Sequence, residues 1–445
     1  MELSRLLGER FRCGCGREHV VPVRRFLYEA GACEQLPEVI RDSLAPSPVG
    51  RIALMADART WTVCGERVSE TLCRAGLKAE SIIVPDRETG GPVCDDVTVS
   101  EVIARMRAMR PDLVVAVGSG VINDLCKWSS FKLGVPYVVV ATAASMNGYA
   151  AANVAAKVAG VKVLVEARPP VAVVAEPAII ATAPREMTTA GFGDTIAKYQ
   201  SNTDWVLNHL LLDEYYCDFC AGIVAGLEPL YLERPEDIAE GKPRAIDGLF
   251  EALFWSGIAM TLVGTSAPAS GGEHLLSHTL DMVSDVRGRP HDLHGRQVGI
   301  GTIVSAALYE RILALDSPSL QRPPAGIDAE FWKTPSLVDA VSAQYAAKQA
   351  SLEIVAQRLA SKGAWDQLRT SLATVAQRPS TIHDWLRRVG GAVTAADIGC
   401  SRSSLKAAAL HMHEMRRRFT VVDLAWMVGV LPGAIDEIID RWLTG

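Results

Sequence analysis

Between residues 50 and 180, short apolar runs alternate with stretches of helical periodicity, and this alternation restricts the fold more than any other feature. Arg51-Ile-Ala-Leu-Met-Ala56, ending at Asp57, reads as a strand. So do Ser81-Ile-Ile-Val84, Asp112-Leu-Val-Val-Ala-Val117 and Tyr137-Val-Val-Val-Ala141, while Thr98 to Met109 carries a helical pattern. A βαβ rhythm of this kind predicts a parallel, doubly wound sheet. Near Pro184 the character changes. From there to Gly445 the pattern is almost all helical, with loops around Glu233–Pro243 and Ser317–Gly326 and no fixed-period repeat. At 445 residues the chain exceeds one ordinary core. The expected plan is an α/β domain with a Rossmann-like sheet over 1–183 and an all-α domain over 184–445, with a ligand cleft between them.

Charge and hydropathy exclude several classes. The net charge of -6 provides no basic field for nucleic acid. The one dense basic run, Met415-Arg416-Arg417-Arg418, reads as a solvated helix face. The N-terminus, MELSRLLGERFRCGCGREH, has charges throughout and no apolar core of a secretory signal. No apolar run reads as long enough to span a membrane, and Asn153, Lys157 and Lys162 break the alanine-rich stretch 150–165. The expectation is a soluble, cytoplasmic protein with reduced thiols. Cys13-Gly-Cys15 with His19, and Cys217-Asp-Phe-Cys220, could together supply a structural zinc site. The plainer reading is a tight glycine turn near the start and a helix face carrying two buried thiols.

Two segments carry candidate chemistry. Gly118-Ser-Gly-Val-Ile-Asn-Asp-Leu-Cys-Lys127 follows a strand and opens a helix. Backbone amides, helix dipole and close glycine approach make such a turn a phosphate cradle. It reads GxGxxN, without the third glycine of the dinucleotide fingerprint, so an ordinary sharp turn stays open as a reading. Asp57, at the end of an earlier strand, could take ribose hydroxyls or form a turn. The second segment, Ser270 to Gly295, holds four of the chain's nine histidines: His274, His278, His291 and His294. His274 and His278 are i and i+4 on a predicted helix and could chelate one ion. Upstream, Gly191-Phe-Gly-Asp194 places an acid inside a helix entry. One carboxylate with two or three imidazoles is a plausible divalent-metal set.

Five segments occur in a telling order: Gly118 to Lys127, Thr142-Ala-Ala-Ser-Met-Asn-Gly-Tyr149, Ala190 to Lys198, Ser270 to His278, and His294-Gly-Arg-Gln-Val-Gly-Ile-Gly-Thr302. Together they resemble the bacterial glycerol-1-phosphate dehydrogenase family, within the superfamily of iron-type alcohol dehydrogenases, glycerol dehydrogenase and dehydroquinate synthase. Cys13-Gly-Cys-Gly-Arg-Glu-His19 and Arg418-Phe-Thr-Val-Val-Asp-Leu-Ala425 look like family features too, so the resemblance covers nearly the whole chain. It implies a dehydroquinate synthase-like fold. It also implies NAD or NADP as cofactor, and one divalent metal, zinc or nickel, held by Asp194, His274 and His294. By the same resemblance His278 faces the substrate and His291 is a loop histidine. Lys198 stands where iron-type alcohol dehydrogenases have a fourth ligand. Gly118, Ser119 and Gly120 would cradle the pyrophosphate. Asp124, Thr142 and Ser145 would line the cofactor, and Lys162 would reach ribose or phosphate.

The implied reaction is hydride transfer between the nicotinamide and dihydroxyacetone phosphate or a close relative, with the ion polarising the carbonyl. The resemblance points to a homodimer or higher homo-oligomer acting on a small molecule, away from nucleic acid and membranes. Two substrate-side positions depart from the family pattern. Asn147 stands where relatives carry an acid, and keeps hydrogen-bonding capacity without the charge. Ala267 stands where relatives read arginine, a residue suited to phosphate. The rival reading is a sugar-phosphate cyclase of the dehydroquinate synthase type, which uses NAD transiently. A non-catalytic protein on an enzyme scaffold is a further alternative, opposed by the intact Asp194, His274 and His294.

Overall fold

The computed structural model describes residues 3–87 and 90–444. In chain order the strands among these are β1 (Arg10–Arg12), β2 (Glu18–Val20), β3 (Arg25–Tyr28), β4 (Arg51–Asp57), β5 (Lys78–Val84), β6 (Leu113–Gly118), β7 (Tyr137–Ala141), β8 (Asn153–Val158), β9 (Val161–Glu166) and β10 (Ala172–Ala175). Six of them form one parallel sheet, in the order β3-β10-β7-β6-β4-β5. The four strands legible as apolar runs are its centre and one edge. β3 and β10 are four residues each, too short to show a period.

The chain contributes two compact units. The first takes residues up to Gly191 together with Gly222–Gly264; the second takes Phe192–Ala221 and Thr265 onward. In the first unit, Leu54, Val115, Val117, Val138 and Val140 project to one face of the sheet and pack with Leu36, Val39 and Ile40 of α1 (Leu36–Leu44) and Val68 and Leu72 of α2 (Glu66–Arg74). Met55 points to the other face, as the period of two requires. There its sulfur lies 3.4 Å from Cys126 Sγ of α4 (Gly120–Leu133), which packs beside α3 (Asp96–Met109). The alanine-rich stretch is the β8–β9 hairpin, turned through Ala159 and Gly160, both left-handed.

One long helix, α7 (Pro243–Val263), returns to this unit. Phe254 stacks on Phe26 of β3 at 4.1 Å between centroids, and Tyr28 donates to Asp247. α7 is long and apolar enough to cross a membrane by composition alone, contrary to the reading that no run has that length. Its apolar side chains, Leu249, Phe250, Leu253 and Phe254 among them, are fully buried in the unit, so it is a core helix.

In the second unit α5 (Arg185–Ile196) contributes its last turn, followed by α6 (Lys198–Leu212), α8 (Gly272–Val286), α9 (His294–Leu313), α10 (Pro335–Leu359) and α11 (Val421–Met427). The Arg416–Arg418 run is not a helix face. It lies in a bend between a 3-10 turn (Met412–Glu414) and α11, with Arg416 and Arg418 half-buried and Arg417 exposed. The physical reason is Lys348 of α10, fully buried. It donates to the carbonyls of His413 and Met415 and to Asp423 Oδ1, and so holds the bend open at its base.

A second buried lysine shapes the first unit. Lys127 of α4 donates to Gly148 O (2.6 Å) and Asn153 O (3.1 Å), and its ammonium lies 3.4 Å from Asp124 Oδ1. It clamps the turn after β7 onto α4. Lys127→Met should lose both carbonyl bonds and leave Asp124 without its cation. We expect a stability loss of about 3 kcal/mol in denaturant unfolding, the lower end for breaking a buried pair because Asp124 keeps some solvent access.

Candidate active site

In the first unit a candidate site lies at the carboxyl ends of the central strands. β4 is followed outward by β5, whereas β6 returns to β4's other side and leads on to β7 and β10. The strand order therefore reverses between β4 and β6, and ligands of open α/β sheets bind at that kind of crevice. Asp57 ends β4, Gly118 ends β6, and Thr142 follows β7 with its amide on Gly118 O at 3.2 Å. Gly118-Ser119-Gly120 is the strand-to-helix turn that opens α4. A Cβ on Gly118 would lie 2.8 Å from Ile122 Cβ, so the turn needs glycine there. One on Gly120 would meet nothing nearer than Met146 Cγ at 3.7 Å, so that glycine leaves open space above the amides.

The other sequence candidates of this unit take definite places. Asp57 caps the helix that follows it: Oδ1 accepts from the Arg59 and Thr60 amides, the turn-forming arrangement, and its other oxygen stands outside these bonds. Asp124 accepts from Asn123 Nδ2 and the Ala155 amide and tethers the β8–β9 hairpin, where Lys162 adds a nearby positive charge. Ser145 bonds the Tyr149 hydroxyl, which also donates to Ala143 O. Asn147 is buried at the start of the 148–150 turn, and α7 nests there because Gly257 carries no side chain: a Cβ would lie 2.5 Å from Asn147 O. Cys15 Sγ is 3.5 Å from His19 Nε2 in the β1–β2 hairpin region, and in the second unit Cys217 and Cys220 are buried.

The helical unit carries a candidate cluster of its own. One ligand atom each from Asp194, His274 and His294 lies within 4.8 Å of the others. Close helix packing brings them together. A Cβ on Gly193 would stand 2.2 Å from Gly295 O, and one on Gly301 would stand 2.1 Å from Glu273 O. Each contact puts backbone against backbone, which glycine alone permits.

Each imidazole has its tautomer set by a second partner. His274 Nδ1 lies 2.8 Å from Glu273 Oε1, an acceptor, so Nδ1 carries the proton. Nε2 then turns a lone pair to Asp194 Oδ1 at 3.4 Å. Two acceptors at that distance in a buried site require a proton or a cation between them. Without a cation, burial pulls His274 down, but Asp194 and Glu273 outweigh it and hold the ring up to about 9. His294 Nδ1 donates to Ser277 Oγ (3.0 Å), which donates onward to Gln297 Oε1 (2.9 Å), so His294 Nε2 also offers a lone pair. The donor set, one carboxylate and two imidazoles whose Nδ1 atoms are engaged elsewhere, fits a divalent ion that would take the place of the proton between His274 and Asp194.

His278 differs. Arg416 Nη2 donates to its Nε2 at 2.8 Å, which occupies the atom a metal would need. His291 is exposed in the loop before α9, 3.3 Å from Asp281 Oδ1. Lys198 is buried one turn beyond Asp194, and burial pushes its ammonium down to about 7. The residues that sequence reasoning missed are the partners: Glu273, Ser277, Gln297 and Arg416. Glu273 and Ser277 flank the ligands in the same motifs, which was a usable signal. Nothing in the sequence joins Arg416 to His278, 138 positions away.

Fold and site together define the class. Residues 27–184 match the family model described as iron-containing alcohol dehydrogenase. A probable glycerol dehydrogenase from Sinorhizobium meliloti 1021 superposes with a TM-score of 0.61 at 16% identity, covering 94% of this chain and 96% of that one. The architecture is thus the dehydroquinate synthase-like fold of that superfamily. Two curated relatives narrow it. Glycerol-1-phosphate dehydrogenase [NAD(P)+] of Bacillus subtilis (strain 168) is 30% identical over 83% of this chain and 83% of its own length. The protein of the same name from Geobacillus stearothermophilus is 29% identical over 92% of this chain and 94% of its own. The chain belongs to the glycerol-1-phosphate dehydrogenase family.

The helix contact at Gly193 gives a direct test of the cluster. Gly193→Ala forces α5 away from the first turn of α9 and separates Asp194 from His294. We expect divalent-metal affinity to fall about 10–100-fold, as for loss of ligand support, with the helical circular dichroism signal retained. Elemental analysis after dialysis against metal checks it.

Proposed function

We propose that this chain is an NAD(P)- and divalent-metal-dependent dehydrogenase that interconverts dihydroxyacetone phosphate and glycerol 1-phosphate, or a closely related small phosphorylated or polyol substrate. The observation that carries it is the lone pair of His274 Nε2 facing Asp194 Oδ1 at 3.4 Å beside His294. In this reading Asp194, His274 and His294 hold the ion, zinc or nickel by the family resemblance. The three ligands leave coordination positions open for substrate oxygen. Gly118, Ser119 and Gly120 cradle the pyrophosphate, with Asp57, Asp124, Thr142, Ser145 and Lys162 as cofactor-side residues. When bound, the ion supplies Lewis-acid polarisation of the carbonyl and the nicotinamide supplies or accepts the hydride.

The chain's own residues do the rest. Glu273 and the Ser277–Gln297 pair hold the Nδ1 protons of His274 and His294, so each Nε2 is the atom that faces the ion, and on His274 a cation would take the place of the Nε2 proton. Arg416 holds His278 Nε2 as an acceptor, so the ring proton sits on Nδ1, a donor for a substrate oxygen. Asn147 offers hydrogen bonds to substrate hydroxyls without adding negative charge.

The names of the relatives give the cyclase alternative no support. A substrate panel with NADH and NADPH, after loading with zinc, nickel, manganese or iron, tests the reading. Consumption of the reduced cofactor with dihydroxyacetone phosphate is expected. Phosphate release with no net cofactor change would instead establish a cyclase.

Two variant sets divide the site. His274→Ala or His294→Ala should abolish metal content and activity together, because three ligands cannot spare one. His278→Ala should keep the metal and lose substrate affinity or turnover. Equal metal loss in His278→Ala, by elemental analysis, would sink the ligand assignment. Gly120→Val should weaken NAD(H) binding about tenfold or more, because its side chain fills the space a phosphate needs. The metal should stay. Fluorescence titration of the folded variant reads the change, and unaltered affinity would remove the glycine turn from the site.

A further inference from the structure

We propose that Arg416 is the phosphate-binding residue of this site, the specificity group for the anionic end of the substrate; this rests on the reading of a phosphorylated substrate. The guanidinium is half-buried, and its side-chain partners are neutral: Nη2 donates to His278 Nε2 (2.8 Å) and Nη1 to Ser270 Oγ (3.0 Å). A guanidinium taken partly out of water calls for an anion. The acids around it are already engaged. Glu273 Oε1 accepts from the Gly271 amide and faces His274 Nδ1. Asp204 accepts from the Gly272 and Val421 amides and the Tyr309 hydroxyl. Glu214 lies 3.7 Å from Arg418 Nε. The Gly271 and Gly272 amides at the start of α8 are therefore occupied.

A second positive charge converges on the same place. Arg418 Nη1 donates to Ser270 O at 3.1 Å, so two guanidiniums meet at the residue that leads into the metal-binding helix. Like charges placed together favour a multiply charged anion between them. The geometry is held firmly. Arg416 has φ +54°, a left-handed conformation that L side chains rarely adopt. Its amide donates to Gln344 Oε1 at 2.8 Å, and Lys348 holds the preceding carbonyl. A planar fork held this way suits bidentate binding of a phosphate dianion. The same fork fixes His278, so one side chain would set both the phosphate and the imidazole beside it. Ala267, where relatives carry arginine, is buried and brings no charge; Arg416 brings one from another part of the chain.

The test uses the full, metal-loaded protein and three variants: Arg416→Ala, Arg416→Lys and the exposed neighbour Arg417→Ala. KM is measured for dihydroxyacetone phosphate and for unphosphorylated dihydroxyacetone, and inorganic phosphate binding is measured by calorimetry. Arg416→Ala should raise KM for the phosphorylated substrate and weaken phosphate binding about 10–100-fold, the range of charge-assisted bonds. The loss should exceed that for dihydroxyacetone by about tenfold. Arg416→Lys should recover part of both, and Arg417→Ala should match the wild type. Equal losses for the two substrates would overturn the proposal. If Arg416→Ala does not fold, unchanged phosphate affinity and KM in Arg416→Lys would overturn it as well. Arg416-dependent phosphate binding in a wild type that does not reduce dihydroxyacetone phosphate would keep this assignment and reject the dehydrogenase reading.

Discussion

Asp204 is the point on which the helical unit turns. From α6 its carboxylate accepts the Gly272 amide (2.7 Å), the Val421 amide (2.8 Å) and the Tyr309 hydroxyl (2.5 Å). These are the starts of α8 and α11 and the C-terminal part of α9. Helix starts carry amides with no intrahelical acceptor, and buried ones need a partner. A single carboxylate meets that need for two helices at once, and each amide left bare would cost about 1–3 kcal/mol. Gly271 makes the approach possible, since a Cβ there would lie 2.5 Å from Asp204 Oδ2. Burial and the charge of Glu273 push Asp204 up to about 7, against the pull of its donors.

With α8 anchored in this way, the metal-facing side chains follow. His274 is two residues beyond the anchored amide, and Glu273 between them turns back to the Gly271 amide and to His274. The imidazole orientation thus derives from the same hydrogen bonds that start the helix. His294 gains its orientation from Ser277, the residue before His278 on α8, across the α8–α9 contact that Gly301 permits. Preorganisation of this kind would lower the cost of binding an ion there, because neither imidazole would have to rotate.

By the family resemblance Asn147 and Ala267 stand where charged residues are expected, while the bend at 415–418 brings a guanidinium to His278. The Asp-His-His set and the glycine turn keep the residue types that their chemistry requires.

Much of this was legible in the residue order. Continuous valine-rich runs ending in Gly118-Ser-Gly dictated the parallel strands and the turn, because a strand buried on both faces leaves no other composition. His274, His278 and the acid of Gly191-Phe-Gly-Asp194 were visible as chemistry because imidazoles and carboxylates inside apolar helices need a reason to be there. Three things were settled by tertiary structure alone. The short strands β3 and β10 exist because the sheet offers them paired edges, not because four residues carry a period. Arg416 left the solvated face expected of a basic run because Lys348, a distant buried cation, claims the carbonyls beneath it. And which ring nitrogen of His274, His278 and His294 carries the proton was decided by hydrogen bonds with Glu273, Arg416 and Ser277. A sequence determines which groups a chain owns, whereas the tautomer of a ring depends on what stands within 3 Å of it, and that is a property of packing.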